Sequence, residues 1–111
     1  MEIKDVNWDN IDEEHICCAI GNDKTNKERA QLKKDWLKQE IPKGHKFKKY
    51  DVRGKVFIEY SPAEIAWFPV VADGYHFIQC LWVSGRFKGQ GLSRGLLDEM
   101  ENDIPGSKGI V

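Results

Sequence analysis

The chain reads as an α+β (α/β) domain: a mixed, mostly antiparallel sheet flanked by helices. Two observations predict the sheet and the helices together. Residues 55–61 and 75–83 carry strand patterning, and residues 25–40 and 92–104 carry apolar positions at helical spacing. Turn chemistry separates these segments, at Asp51-Val52-Arg53-Gly54 and at Asp73-Gly74.

From the N-terminus, residues 2–6 read as a strand and the acidic stretch 8–15 as a short helix; Cys17-Cys18-Ala19-Ile20 has no assignment. Gly21 to Asn26 is turn chemistry. Thr25-Asn26-Lys27-Glu28 has the form of a capping box, with Thr25 as N-cap, and predicts a helix to about Glu40. Leu32 with Trp36, and Leu37 with Ile41, lie one turn apart and give it an apolar side. Pro42 and Gly44 end it. The lysines at 43, 46, 48 and 49 read as a solvated strand face with Phe47 and Tyr50 inward; the competing reading is a site for an acidic substrate or a CoA phosphate. Lys55 to Ser61 alternates, with Val56, Ile58 and Tyr60 on one face and Phe57 and Glu59 on the other. Ile65 to Val71, broken by Pro69, reads as an edge or bulged strand. Trp67-Phe68-Pro69 reads as sheet core ahead of a cleft lining. Tyr75 to Val83 is the strongest strand. Leu92, Leu96, Leu97, Met100 and Ile104 form a helix stripe that Pro105-Gly106 stops, and Gly109-Ile110-Val111 begins a further strand.

Composition bounds the function. A chain of 111 residues is one domain. Its 41% apolar and 32% charged residues fit a globular protein, and a net charge of −1 leaves no overall footprint for nucleic acid or an anionic membrane. The N-terminus lacks a signal-peptide core and no apolar run is long enough to span a bilayer. Three cysteines, two of them adjacent, make a poor disulfide framework and favour a reduced, cytoplasmic setting. His15-Ile16-Cys17-Cys18 has no second pair at metal-ligand spacing, so no metal is expected.

The most informative stretch is Gly85-Arg86-Phe87-Lys88-Gly89-Gln90-Gly91-Leu92-Ser93-Arg94-Gly95, which holds four of the ten glycines and three cations. It stands between an apolar strand and a helix. Glycines let backbone approach a phosphate, and the first amides of a helix have no intrahelical partner and sit at the positive end of its dipole. That order of elements makes an anion cradle.

Arg86-Phe87-Lys88-Gly89-Gln90-Gly91, after the strand ending Leu81-Trp82-Val83 and before the leucine-rich helix, resembles the acetyl-CoA signature Arg/Gln-x-x-Gly-x-Gly/Ala of the GNAT superfamily of N-acetyltransferases. The order of elements fits that family over residues 1–111, with residues 77–100 carrying the specific part. Lys88 stands where arginine is frequent, Gly85 where proline is common, and Ser93 in place of a usual glycine. Members continue with another strand, a helix and two more strands, often bearing a tyrosine that acts as general acid. The resemblance therefore implies a single partial, truncated acyl-CoA N-acyltransferase-like domain. Its parts are a strand and helices at 1–41, an antiparallel meander at 46–83, a CoA-binding loop and helix at 84–104 and the start of a strand at 109–111. An unfinished sheet leaves the strand at 75–83 as an open edge that invites a homodimer.

The resemblance also implies chemistry: transfer of acetyl from acetyl-CoA to a primary amine by direct attack through a tetrahedral intermediate. Cofactor contacts fall on Leu81, Trp82, Val83, Arg86, Phe87, Lys88, Gly89, Gln90, Gly91, Leu92, Ser93 and Arg94. The diphosphate rests on amides from Lys88 to Gln90 and on through Ser93, with Lys88 and Arg94 neutralising charge. Pantetheine lies along the strand at Leu81 to Val83, and the backbone N–H of Leu81 or Val83 serves the oxyanion. Glu59, Glu64, Gln79 and His76 are near the sheet as candidate bases, but no spacing singles one out; both glutamates read as solvated charges, His76 as a strand-end surface residue and Cys80 as a small core residue. The alternatives are a non-catalytic CoA- or partner-binding module and, more remotely, a nucleotide loop. Ser84-Gly85-x-x-x-Gly89-x-Gly91 resembles that loop of short-chain dehydrogenases, but stands far from the N-terminus where those enzymes carry it. A P-loop is excluded because no Gly-Lys-Ser/Thr follows.

Overall fold

The computed structural model describes residues 2–14, 16, 24–52, 55–66 and 69–111. Four strands, β1 (Ile3–Asp5), β2 (Lys46–Tyr50), β3 (Val56–Pro62) and β4 (His76–Val83), pair antiparallel in chain order. Helix α1 (Lys24–Glu40) lies against one face and helix α2 (Leu92–Asp103) against the other. The architecture is the α+β one the patterning predicts.

Strand β3 divides the core in two. Val56, Ile58 and Tyr60 join Tyr50 of β2 and Leu92, Leu96 and Met100 of α2 in one cluster. On the opposite face Phe57 stacks on Phe47 with ring centroids 5.0 Å apart, and Leu37 of α1 closes over them with Val6, Ile11 and Ile16. The period-two alternation of the sequence is thus read out on both sides of a fully covered strand. Opposite β3, the register of β4 slips: Glu59 pairs with Cys80 and Tyr60 with Ile78, leaving Gln79 as an extra residue. The slip keeps Ile78, Leu81 and Val83 together on the α2 face.

Several expectations need correction. Among the described residues, 8–14 contain no helix. Asn7 and Asn10 accept N–H bonds from the residues three and four ahead, and the Asn7 side chain captures the amides of Asp9 and Asn10, so the chain makes successive turns. Helix α1 already includes Lys24, so Thr25 lies in its first turn rather than at the N-cap. The run 65–71 forms no strand among its described residues: Ala63–Ile65 is a single tight helical turn, and Pro69 to Val71 pass in irregular conformation. Cys17 to Ile20, Gly21 to Asp23, Arg53, Gly54, Trp67 and Phe68 lie outside the described residues, as do most of the turn and cleft expectations placed there. Lys48 and Lys49 do not form a solvated face. They are 5% and 3% exposed, Lys48 reaching Asp5, Glu99 and Asp103 on one side, and Lys49 reaching Glu14 on the other. Burial pulls the Lys49 ammonium below the usual lysine range, against the opposing charge of Glu14.

Where a further strand was expected to begin, the C-terminal residues make an isolated parallel bridge. Ile110 bridges His76, the amides of His76 and Ile78 donate to Gly109 and Val111, and Val111 donates back to His76. The outer edge of β4 is therefore covered over its first three residues and not over Gln79 to Val83 among the described residues, so the open edge is shorter than the sequence suggests.

Helix α2 approaches β2 closely at Gly95, where an added Cβ would collide with the Tyr50 hydroxyl. This explains a glycine inside a helix, where it ordinarily costs about 1 kcal/mol relative to alanine. Gly95→Ala is therefore expected to lower stability in urea by ~1–3 kcal/mol despite its better helix propensity, and Tyr50→Phe in the same chain to recover much of the loss. Tyr60, 0% exposed, donates to Asp103 at 2.7 Å. Burial, and then that bond, push its ionisation far above the usual tyrosine range. The neutral form is the stabilising one, so its contribution is complete below the unfolded value near pH ~10 and fades as pH rises beyond it. Denaturation series between pH 9 and 11 should show that alkaline slope, and Tyr60→Phe should flatten it.

Candidate functional site

The strand, the glycine loop and the helix start meet in one cleft of about 350 Å³. Leu81 and Val83 line it from β4, Phe87, Lys88 and Gly89 from the loop, and Gly91, Leu92 and Ser93 from the start of α2. The size lies in the ordinary range of small-molecule sites.

Local chemistry builds this cleft. After β4 the chain makes one tight turn at Gly85–Phe87, in which the amides of Phe87 and Lys88 donate to Ser84 and Gly85. Gly89 and Gly91 then take positive φ, 79° and 73°, which only glycine adopts freely, and Gly91 caps α2. No Cβ would clash at either position, so what glycine supplies there is backbone conformation. The first intrahelical bond runs from Gly95 to Gly91. Among the described residues, the amides of Gly89, Gln90, Gly91, Leu92 and Ser93 donate to no backbone group. A run of unpaired amides at a helix N-terminus, with glycines in left-handed conformation, is an anion-binding concavity. Lys88 is not part of it through its backbone, because its N–H is taken by Gly85 at 3.3 Å.

The β4 wall has its own polarity. Ser84 N–H donates to Lys55, and hydrogen bonding alternates along an antiparallel ladder, so Trp82 directs its main-chain groups toward β3. Leu81 and Val83, which line the cleft, therefore direct theirs outward, along the uncovered edge of β4.

The other expected contact residues sit around the cleft rather than in it. The Arg86 guanidinium lies 4.6 Å over the Phe87 ring, and Gln90 Nε2 reaches the Arg86 carbonyl at 3.4 Å, so both brace the loop. Arg94 is exposed on the first turn of α2. Trp82 is half-exposed and faces the α1 side, opposite Phe57.

Of the candidate bases, Glu64 is exposed and accepts the Gly74 amide. Gln79 is the bulge residue of β4. The His76 ring bonds Ser107, part of the joint between the C-terminal residues and β4. Glu59 is not a solvated charge: it is 1% exposed, and its Oε2 lies 2.7 Å from His45 Nε2 and 2.9 Å from Lys33 Nζ. Trp36 meets the His45 ring edge-on at 4.8 Å. The sequence singled out neither His45 nor Lys33, because only the fold brings helix, loop and strand to one carboxylate. Among the described residues no group of three or more His, Cys, Asp or Glu is placed to hold a metal, and no helix is long and apolar enough to cross a membrane.

The chain is 42% identical over 109 residues to the Bacillus subtilis (strain 168) protein called uncharacterized N-acetyltransferase YoaP. That similarity supports kinship with GNAT-type N-acetyltransferases. The match takes in 96% of this chain but 43% of that relative, so the chain spans less than half the length of the N-acetyltransferase it matches. No family model matches the chain, and no solved structure matches it significantly.

Removing Glu59 would leave Lys33 and the buried His45 without their carboxylate. Glu59→Ala is expected to destabilise the fold by about 3–5 kcal/mol in chemical denaturation, and Glu59→Gln by less.

Proposed function

We propose that this chain is the donor-binding part of an acetyl-CoA-dependent N-acetyltransferase. The observation that carries the reading is a single one: Gly89, Gly91, Leu92 and Ser93, whose amides donate to no backbone group, line the same cleft as Leu81 and Val83 of the β4 edge.

In this reading the loop amides and the start of α2 hold the donor's diphosphate, and Lys88 and Arg94 screen its charge. Relative to the expectation, the cradle begins at Gly89 rather than Lys88. The edge of β4 from Leu81 to Val83 receives the pantetheine amides as a strand would, which sets the thioester near the Gln79 bulge. A Leu81 or Val83 N–H polarises the thioester carbonyl and stabilises the oxyanion as a neutral amine attacks. The proton of the amine leaves to a base among Glu59, Gln79-bound water or the neighbouring solvent. An acetyl-CoA donor and a cysteine set that makes a poor disulfide framework both suit a cytoplasmic setting. The uncovered stretch Gln79 to Val83 also suits edge pairing with a second copy, and that pairing competes with the donor for the same amides.

Calorimetry with acetyl-CoA tests the reading. Wild-type chain should bind. Lys88→Ala should weaken binding a few-fold, more at low salt, and Gly91→Val, which forces a β-branched residue to positive φ, should weaken it more than tenfold with the fold intact by circular dichroism. No heat of binding in the wild type sinks the proposal. A thiol-release assay with primary amines then separates an enzyme from a module that only binds.

A further inference from the structure

Lys33 presents its ammonium to Glu59 Oε2 at 2.9 Å and to the Trp36 ring at 4.5 Å from the centroid. Glu59 is held from its other side by His45 Nε2 at 2.7 Å. The carboxylate and the imidazole are 1% and 3% exposed, whereas the Lys33 side chain keeps 23% of its surface in water. A primary alkylammonium is thus clasped between a buried carboxylate and an aromatic face, with an outlet to solvent. Ammonium groups bind such surroundings through charge and through the ring quadrupole.

The clasp stands next to the reacting strand. Glu59 is the register partner of Cys80, the residue between the Gln79 bulge and Leu81, whose amide faces the donor cleft. Strands are spaced about 4.8 Å apart, so the carboxylate lies roughly two spacings from a ligand on the outer edge of β4.

We propose that the Glu59–Trp36 clasp is the ammonium site of the acceptor, closed in this structure by the chain's own Lys33, and that the acceptors are unbranched primary alkylamines. The proposal rests on the N-acetyltransferase reading above. An incoming alkylammonium remakes the same ion pair and ring contact as it displaces Lys33, which moves out through the solvent-facing side. His45 stays on Glu59 throughout, so the buried carboxylate is never left alone. The bound alkylammonium yields one proton to Glu59. The neutral amine then leaves the clasp for the β4 edge, where its lone pair attacks the thioester carbonyl; the N–C bond forms, the C–S bond breaks, and the second amine proton goes to the departing thiolate.

Lys33→Ala removes three methylene carbons and the ammonium, which n-propylamine reproduces. Calorimetry with n-propylamine alone, without donor, should show the variant binding at least tenfold more tightly than the wild type. Lys33→Met, which fills the vacated space, should show no gain, and Lys33→Ala with Glu59→Gln should lose it. With acetyl-CoA present, Lys33→Ala should acetylate n-propylamine faster than the wild type. Equal affinity in wild type and a folded Lys33→Ala, or an equal gain in Lys33→Met, overturns the proposal; Lys33→Ser leaves the same vacancy if the alanine variant does not fold. Amine binding without transfer, in a chain that binds acetyl-CoA, overturns the acceptor assignment. If the chain binds no acetyl-CoA, the donor reading fails, and the amine calorimetry still decides whether the clasp takes an ammonium.

Discussion

The packing of α2 on the sheet is the constraint on which the rest depends. Leu92, Leu96 and Met100 are seated against Tyr50, Val56, Ile58 and Tyr60, and this contact fixes where the helix begins. The start of α2 is what the loop amides are built on. A helix free to slide or roll on the sheet would carry Gly91, Leu92 and Ser93 away from Leu81 and Val83, and the cleft would have no fixed shape. Apolar burial that looks merely structural therefore sets the aim of the polar groups. At the far end of the same helix, Lys48 binds Glu99 and Asp103 while Tyr60 donates to Asp103, so polar contacts hold the C-terminal turn.

The parts legible in the sequence are those whose signal is local. Alternation over 55–61 assigned both faces of β3 correctly, and the leucine stripe after Gly91 located α2 to within a residue. The glycines of the loop marked a backbone that must turn through positive φ, and two of them do. The illegible parts depend on partners distant in the chain. Lys48 and Lys49 look like surface residues until Glu99, Asp103 and Glu14 arrive from elsewhere. Glu59 looks solvated until Lys33 and His45 close on it. The run 65–71 had apolar content enough for a strand but carried Pro69, and its described residues pair with no strand, so composition misled where topology decided. Thr25 to Glu28 matched a capping box, yet the helix begins two residues too early for Thr25 to cap it.

The two helices are attached by different physics. Helix α2 is seated by aliphatic and aromatic side chains. Helix α1 buries Leu37, but much of its remaining contact is ionic: Lys33 to Glu59, Lys38 to Asp12, Lys34 to the Asp12 carbonyl, and Lys38 toward the Trp8 ring. Coulombic contacts of half-exposed side chains are screened by electrolyte, whereas apolar burial is strengthened by many of the same salts. Ionic strength therefore acts in opposite senses on the two sides of one sheet. Concentrated salt loosens the layer that carries the lysine-rich helix while tightening the layer beneath the glycine loop, which makes the molecule mechanically two-sided although its sheet is continuous.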